Sequence, residues 1–205
     1  AHGSPDEAYK KAAGELASAV AVKLNKPVRI HFLNEEEVTK GGRVLPLFLG
    51  EGKHVSEDVR TMAERSNWQL LPSLTTYADD LAVILTTAVR DLDARAKAVI
   101  LAPYRFSGMQ KFVAALYKRS RRLPLPAIAA LHRSPNVKDV LKLWQEEEVG
   151  PVALQPALIF PGKSYASLLD TVEQFCAEGM EISVGKPLSA QAGFIDLLVR
   201  FFQVD

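Results

Sequence analysis

Cysteine is nearly absent from this chain of 205 residues, where Cys176 stands alone. A single thiol excludes an internal disulfide and any all-cysteine zinc or iron–sulfur centre built by this chain alone. A reducing, cytoplasmic setting is therefore expected. Charge of one sign is lacking too: 25 Lys+Arg against 24 Asp+Glu leave a net charge of +1, with no global case for a nucleic-acid partner. No apolar run approaches the roughly 18–20 residues needed to cross a bilayer, and nothing reads as a cleavable signal, so no membrane partner is expected. Aromatic residues are scattered, without a base-stacking pattern. Phosphate-cradling glycine loops are missing, since Gly50-Glu51-Gly52 lacks a third glycine, and nucleotide binding is unsupported. Ser4 follows Gly3 without a Gly-x-Ser-x-Gly elbow, which leaves a serine hydrolase little support.

What is present is alternation. Short apolar runs (Val28 to Phe32, Arg43 to Leu49, Ala98 to Ala102, Ala127 to Leu131, Leu154 to Phe160) read as strands covered on both faces. Between them, Asp6–Leu24, Val55–Arg65, Asp79–Asp91, Ser107–Arg121, Val137–Glu147, Tyr165–Ala177 and Ala192–Phe202 carry apolar residues at helical spacing. Strand alternating with helix argues an α/β fold with a parallel sheet and crossover helices.

The chain also repeats itself. Pro46-Leu47-Phe48-Leu49-Gly50-Glu51-Gly52-Lys53-His54-Val55 aligns with Pro156-Ala157-Leu158-Ile159-Phe160-Pro161-Gly162-Lys163-Ser164-Tyr165 at an offset of 110. Leu71-Pro72-Ser73-Leu74 answers Lys186-Pro187-Leu188-Ser189, and Ala1-His2-Gly3-Ser4 answers Ala102-Pro103-Tyr104-Arg105. Two copies of one α/β unit are expected, residues 1–95 and 96–205, with Asp91 to Ala96 as the polar seam. The copies are unequal: Ala102 to Pro156 is 54 positions, whereas Ala1 to Pro46 is 45. Glu35 to Gly42 is too short for a crossover helix, and Lys97 to Leu101 has no counterpart before Ala1. Omission of a first strand and an internal helix from the sequence is the expected explanation, since a parallel sheet lacking both would expose its edge and core.

Four histidines are candidates for chemistry. His2 and His54 each sit at a strand-to-helix junction beside glycines, at the edge where parallel sheets carry ligand sites. They read either as loop histidines bonded to backbone or as two imidazoles of a divalent-metal site. The second copy has Pro103 and Ser164 in their places, so such a pair belongs to residues 1–95 alone. His31 lies within a strand run and is expected to pack against a neighbour. His132 ends a strand of the second copy and could face the same cleft. Glu35, Glu36 and Glu37 read as a solvated turn from which one acid could reach the rim. Arg105, Lys111, Lys118, Arg119, Arg121 and Arg122 read as a charged helix face or as a site for a polyanion.

The stretch from Ala1-His2-Gly3-Ser4-Pro5-Asp6, followed by Pro-x-Phe-Leu-x-x-Gly-x-His-Val-x-x-Asp over Pro46 to Asp58, resembles the class II chelatases. These are the sirohydrochlorin cobaltochelatase and ferrochelatase family of the CbiX/SirB type, whose fused members carry two parallel-sheet units facing each other across a cleft. The resemblance implies insertion of Co²⁺ or Fe²⁺ into sirohydrochlorin, for cobalamin or sirohaem, with no cofactor beyond the substrate metal. By motif, it implies that His2 and His54 are the metal-binding and catalytic histidines. The family's acid follows a Phe-Leu pair; here Phe32-Leu33-Asn34-Glu35 displaces it by one, and Glu35 is the matching proton acceptor. Ser4, Gly52, Lys53, Arg105 and Lys163 are the expected contacts to the substrate, the basic ones meeting its carboxylates. Short relatives pair as dimers, so a fused pair is expected to act as a monomer. The alternative is a carrier of tetrapyrrole or metal that kept the fold without turnover.

Overall fold

The structure, a computed structural model, describes residues 1, 3, 6–33, 39–50, 54–105 and 108–203, with the side chains of 54–56 excepted. Helix α1 (Glu7–Leu24) is capped by Asp6, whose side chain accepts from the Ala8 amide. Strand β1 (Arg43–Val44) leads to a π-helical turn (His54–Val59), α2 (Arg60–Ser66), β2 (Gln69–Leu70), a 3₁₀ turn (Leu74–Tyr77) and α3 (Ala78–Leu92). Strand β3 (Ala98–Pro103), α4 (Gln110–Ser120), β4 (Pro126–Ile128) and α5 (Val137–Glu146) come next. Strand β5 (Val152–Ala157), α6 (Lys163–Ala177), β6 (Ile182–Val184), a second 3₁₀ turn and α7 (Ala192–Gln203) complete the order.

All strand pairing is parallel. β1 and β2 form one sheet, and the other has the order β4-β3-β5-β6. The expected α/β class with two parallel sheets is the observed one. Element order repeats as well: β1 and β5 each lead through a turn, a helix, a short strand and a 3₁₀ turn into a long helix.

Every anticipated helix is present within a few residues, but two anticipated strands differ. Val28 to Phe32 joins no sheet, and Arg43 to Leu49 contributes only the two residues of β1. A strand is defined by its ladder, and among the described residues β1 has a strand neighbour only on its β2 side. β2 and β6, two and three residues long, escaped the pattern because so short a run has no measurable period.

Strand β3 divides the core. Val99 and Leu101 point into a cluster with Leu81 and Leu85 of α3, Leu116 of α4 and Phe194 of α7. Ala98, Ile100 and Ala102 point into a second cluster with Leu141 and Trp144 of α5 and Phe175 of α6. The polar seam is tied down: Asp93 accepts from the Arg95 amide at 2.8 Å and from Ser183 Oγ at 3.3 Å, while Arg95 pairs with Glu181. The first of these bonds is the main cause holding the Asp93 carboxyl below the usual carboxylate range.

One buried polar group fixes the end of the sheet. Gln155 on β5 is 1% exposed, and its amide donates to the carbonyls of Lys186 at 2.8 Å and Pro156 at 3.0 Å. A Cβ on Gly185 would lie 1.9 Å from Gln155 Oε1, so only glycine fits beside the held amide. Gly185→Ala is expected to cost about 1–3 kcal/mol in denaturant unfolding, the usual scale for overpacking. In a Gln155→Ala background the same change should cost far less. Equal costs in both backgrounds would show that this contact does not limit position 185.

Candidate functional site

His2, Ser4, Glu35, Gly52 and Lys53 lie outside the described residues, and for His54 only the backbone is described. His54 opens the π-helical turn that leads into α2. Arg105 and Lys163 are described and exposed: Arg105 follows β3, and Lys163 begins α6 after β5. Both therefore lie past the carboxyl ends of central strands, the edge where parallel sheets carry their sites.

The described neighbours of these residues show how the loops meet. Ala1 is fixed by two backbone bonds: its amino group donates to the His31 carbonyl at 2.8 Å, and its carbonyl accepts from the Leu33 amide at 3.0 Å. Gly3 turns at φ +92°, in the left-handed region that glycine enters without cost, as the glycine beside His2 suggested. A hydrogen bond links the Gly3 backbone to the Tyr9 side chain. The Tyr9 ring in turn lies 4.9 Å from that of Phe160 and 6.1 Å from that of Phe32. A Cβ on Gly162, just before Lys163, would touch Tyr9 at 3.4 Å. Start of α1 and start of α6 thus share one aromatic floor.

A second contact joins the other two loops. A Cβ on Gly50, on the way to Lys53 and His54, would come within 3.1 Å of the Met109 side chain and 3.3 Å of the Gly108 carbonyl. The loop after β1 therefore presses on the loop that carries Arg105 into α4. Each of these two contacts joins a loop of residues 1–95 to a loop of residues 96–205.

Beyond β4, His132 Nε2 lies 3.1 Å from Ser164 Oγ, and its ring meets Tyr104 edge-on at 5.1 Å. The Arg105 guanidinium sits 5.1 Å from the same Tyr104 ring. His132, Tyr104, Arg105 and Ser164 form a polar cluster past the ends of β3, β4 and β5. Among the described residues no group of three His, Cys, Asp or Glu side chains converges as a metal site would need.

His31 packs against Trp68, with ring centroids 5.3 Å apart, as anticipated for a histidine in an extended run. The basic run divides. Lys118 and Arg119 approach Asp79 of α3 at 3.7 and 3.6 Å from the last turn of α4, roughly 12–14 Å of helix away from its start. A charged helix face, not a site shared with Arg105, describes these two.

Tyr9 and Phe160 carried no signal in the sequence, because an aromatic on an amphipathic helix, or at the end of an apolar run, reads as core. Burial, opposed by the bond from Gly3, pushes the Tyr9 phenol above its usual value. The folded chain thus holds that proton more tightly than the unfolded one. Stability from this group is present below the ordinary phenol value near 10 and is lost as pH rises through the folded value. Alkaline difference spectroscopy should show a late-ionising tyrosine that Tyr9→Phe removes. That variant should unfold at most about 1–2 kcal/mol more easily, one hydrogen bond's worth. An unchanged late step would assign it to another residue, such as Tyr165, which burial also raises.

No protein-family model matches the sequence, and no curated protein matches it. Solved structures are similar to it over nearly its whole length. SirB from Bacillus subtilis with Fe³⁺ aligns at a TM-score of 0.79 with 14% identity, covering 98% of this chain and 91% of that one. The sirohydrochlorin chelatase SirB from B. subtilis subspecies spizizenii in complex with cobalt aligns at 0.74 with 16% identity and the same two coverages. CbiX, the terminal enzyme of sirohaem biosynthesis in denitrifying bacteria, aligns at 0.71 with 15% identity, covering 98% of this chain and 95% of that one. The chain has the class II chelatase fold.

Proposed function

We propose that this protein inserts a divalent metal, Co²⁺ or Fe²⁺, into sirohydrochlorin. The observation that carries the reading is a coincidence of two independent signals. The Pro-x-Phe-Leu-x-x-Gly-x-His-Val segment resembles the class II chelatases in sequence, and the whole chain has their fold.

In this reading residues 1–95 supply the metal-handling half and residues 96–205 the half that shapes the pocket. His2 and His54 bind the incoming metal. Neutral imidazoles suit late first-row divalent ions, add no charge, and hold them loosely enough to yield them to four pyrrole nitrogens. Two pyrrole protons must leave as the metal enters, and a histidine or Glu35 accepts them. Ser4, Gly52 and Lys53 border the macrocycle, and Arg105 and Lys163 meet its carboxylates from the other half. Support for the last assignment is the exposure of Arg105 and Lys163 past the ends of β3 and β5, beside loops in contact with those leading from β1 and into α1. The protein works as a monomer in the cytoplasm, needing no partner beyond the tetrapyrrole and the substrate metal.

A carrier that binds tetrapyrrole without turnover is the other reading. The two separate in one assay, following the visible spectrum of sirohydrochlorin with Co²⁺ or Fe²⁺ against a protein-free control. Faster insertion that disappears in His54→Ala and in His2→Ala, with the unfolding midpoint unchanged, is the expected outcome. Stoichiometric binding of the macrocycle without acceleration would assign a carrier, and an active double mutant would remove the histidines from the mechanism.

A further inference from the structure

His132 is the one histidine of residues 96–205, and the reaction proposed above leaves it without a role. It follows β4, is exposed, and meets the Tyr104 ring edge-on at 5.1 Å. Its Nε2 lies 3.1 Å from the hydroxyl of Ser164, in the first turn of α6. A small cavity of about 40 Å³ beside the pair is also lined by Asn136, Lys138, Ser167 and Thr171. An ammonium, an amide and hydroxyls do not take up a proton at neutral pH, whereas an imidazole does. His132 is therefore the proton acceptor of this group. No carboxylate lines the cavity, and Asp139, on the first turn of α5, is bonded to Ser134 and the Asn136 amide. Positive charge stands near the ring instead, from Lys138 in the cavity wall, Arg133 next in the chain, Lys163 beside Ser164 and Arg105 at Tyr104.

The repeat fixes the place of the pair. Ser164 lies 110 residues after His54, and each stands at the start of the helical segment that follows its strand, β5 or β1. The Leu131 amide donates to the Pro103 carbonyl at 2.9 Å, as the Leu33 amide donates to the Ala1 carbonyl at 3.0 Å. By this rung His132 answers Asn34, one residue before Glu35. Where the first half carries an acid and an imidazole, the second carries an imidazole bonded to a hydroxyl.

We propose that Ser164 and His132 form a relay for the second of the two pyrrole protons, an inference that rests on the metal insertion proposed above. A histidine nitrogen whose lone pair holds the incoming ion has none left for a proton, and a carboxylate that has taken one proton is neutral. A further acceptor, apart from the metal ligands, completes the balance. As the dication binds the first pyrrole nitrogens, the remaining N–H becomes more acidic. That N–H bond breaks while its hydrogen passes to Ser164 Oγ, and the Ser164 hydroxyl gives its own hydrogen to His132 Nε2. The electron pair stays on the pyrrole nitrogen and becomes its bond to the metal. The imidazolium, exposed and among cations, then releases the proton to water.

Single-turnover insertion, with protein in excess over sirohydrochlorin and Co²⁺ saturating, tests the relay. Ser164→Ala and His132→Gln should each slow insertion roughly tenfold or more, within the usual reach of acid–base catalysis. The double variant should be no slower than the slower single one, because two groups of one relay act as a unit. Binding of metal-free sirohydrochlorin, read from its visible spectrum, and the unfolding midpoint should match the parent protein. Ser164→Thr, which keeps a hydroxyl, should retain most of the rate. A parent-like rate in either Ser164→Ala or His132→Gln would overturn the relay. So would weaker macrocycle binding with an unchanged rate at saturation, which would make the pair a binding contact only. Failure of the chelatase reading is distinct, since it appears as absent acceleration in the parent protein and removes the relay with it.

Discussion

Helices α3 and α7 do not simply cover the strands that precede them. α3 follows β2 yet packs on α4 and on β3 and β5 of the other sheet, and α7 follows β6 yet packs on α1 and α3. Leu81, Leu85 and Val89 of α3 and Phe194, Leu197 and Phe201 of α7 enter one continuous buried cluster with Leu16 and Val20 of α1 and Leu101 of β3. At about 1.5–3 kcal/mol for each large side chain removed from water, these few residues outweigh any pairing between loops. Ion pairs reinforce the same seams from outside: Arg200 of α7 with Asp80 of α3 at 2.6 Å, Lys23 of α1 with Asp196 of α7, and Lys118 of α4 with Asp79 of α3. All are exposed and worth little singly, so the shared core holds the halves together.

That shared core has a consequence for the loops. Because each half lends a helix to the other, the carboxyl ends of both sets of strands are fixed relative to one another by buried contacts. Tyr9 against Phe160 and Gly50 against Gly108 are then local contacts between loops that the core holds near one another. Arg105, held against the Tyr104 ring, loses rotamer freedom in advance of any carboxylate it meets, which lowers the entropy cost of ordering it on binding.

The sequence exposed much of this, unevenly. Helices were legible because their apolar stripes are long: the bounds of α3, α5 and α7 fall within one residue of where the spacing puts them. The 110-residue offset was legible because strand, turn and helix recur as a block, and the parallel class followed from it. Val28 to Phe32 misled for a physical reason. Its composition states that it prefers a pleated, buried setting, but pairing needs a neighbour, and the composition of one segment cannot say whether that neighbour is there. Tyr9 was invisible for the opposite reason, since an aromatic on an amphipathic helix is ordinary until the partner at its hydroxyl is known. His2 and Glu35 stood out by position alone, but only the motif resemblance gave them and Lys53 a role, and the described structure bears on their neighbours alone.

The two halves also differ in what their sheets ask of them. In the second, β3 is central and wholly buried, and β4 and β6 close its sheet with α5 crossing between β4 and β5. In the first, β1 and β2 have the same helices around them but neither a central strand nor, among the described residues, a crossover helix between 25 and 43. The exchanged helix α7 explains how such a half stays folded. Leu198 and Phe202 line a cavity together with residues 28–31 and 43–48, and Phe194, Leu197 and Leu198 anchor α7 in the common core. The open sheet edge is therefore held in shape by a core that belongs mostly to the other half.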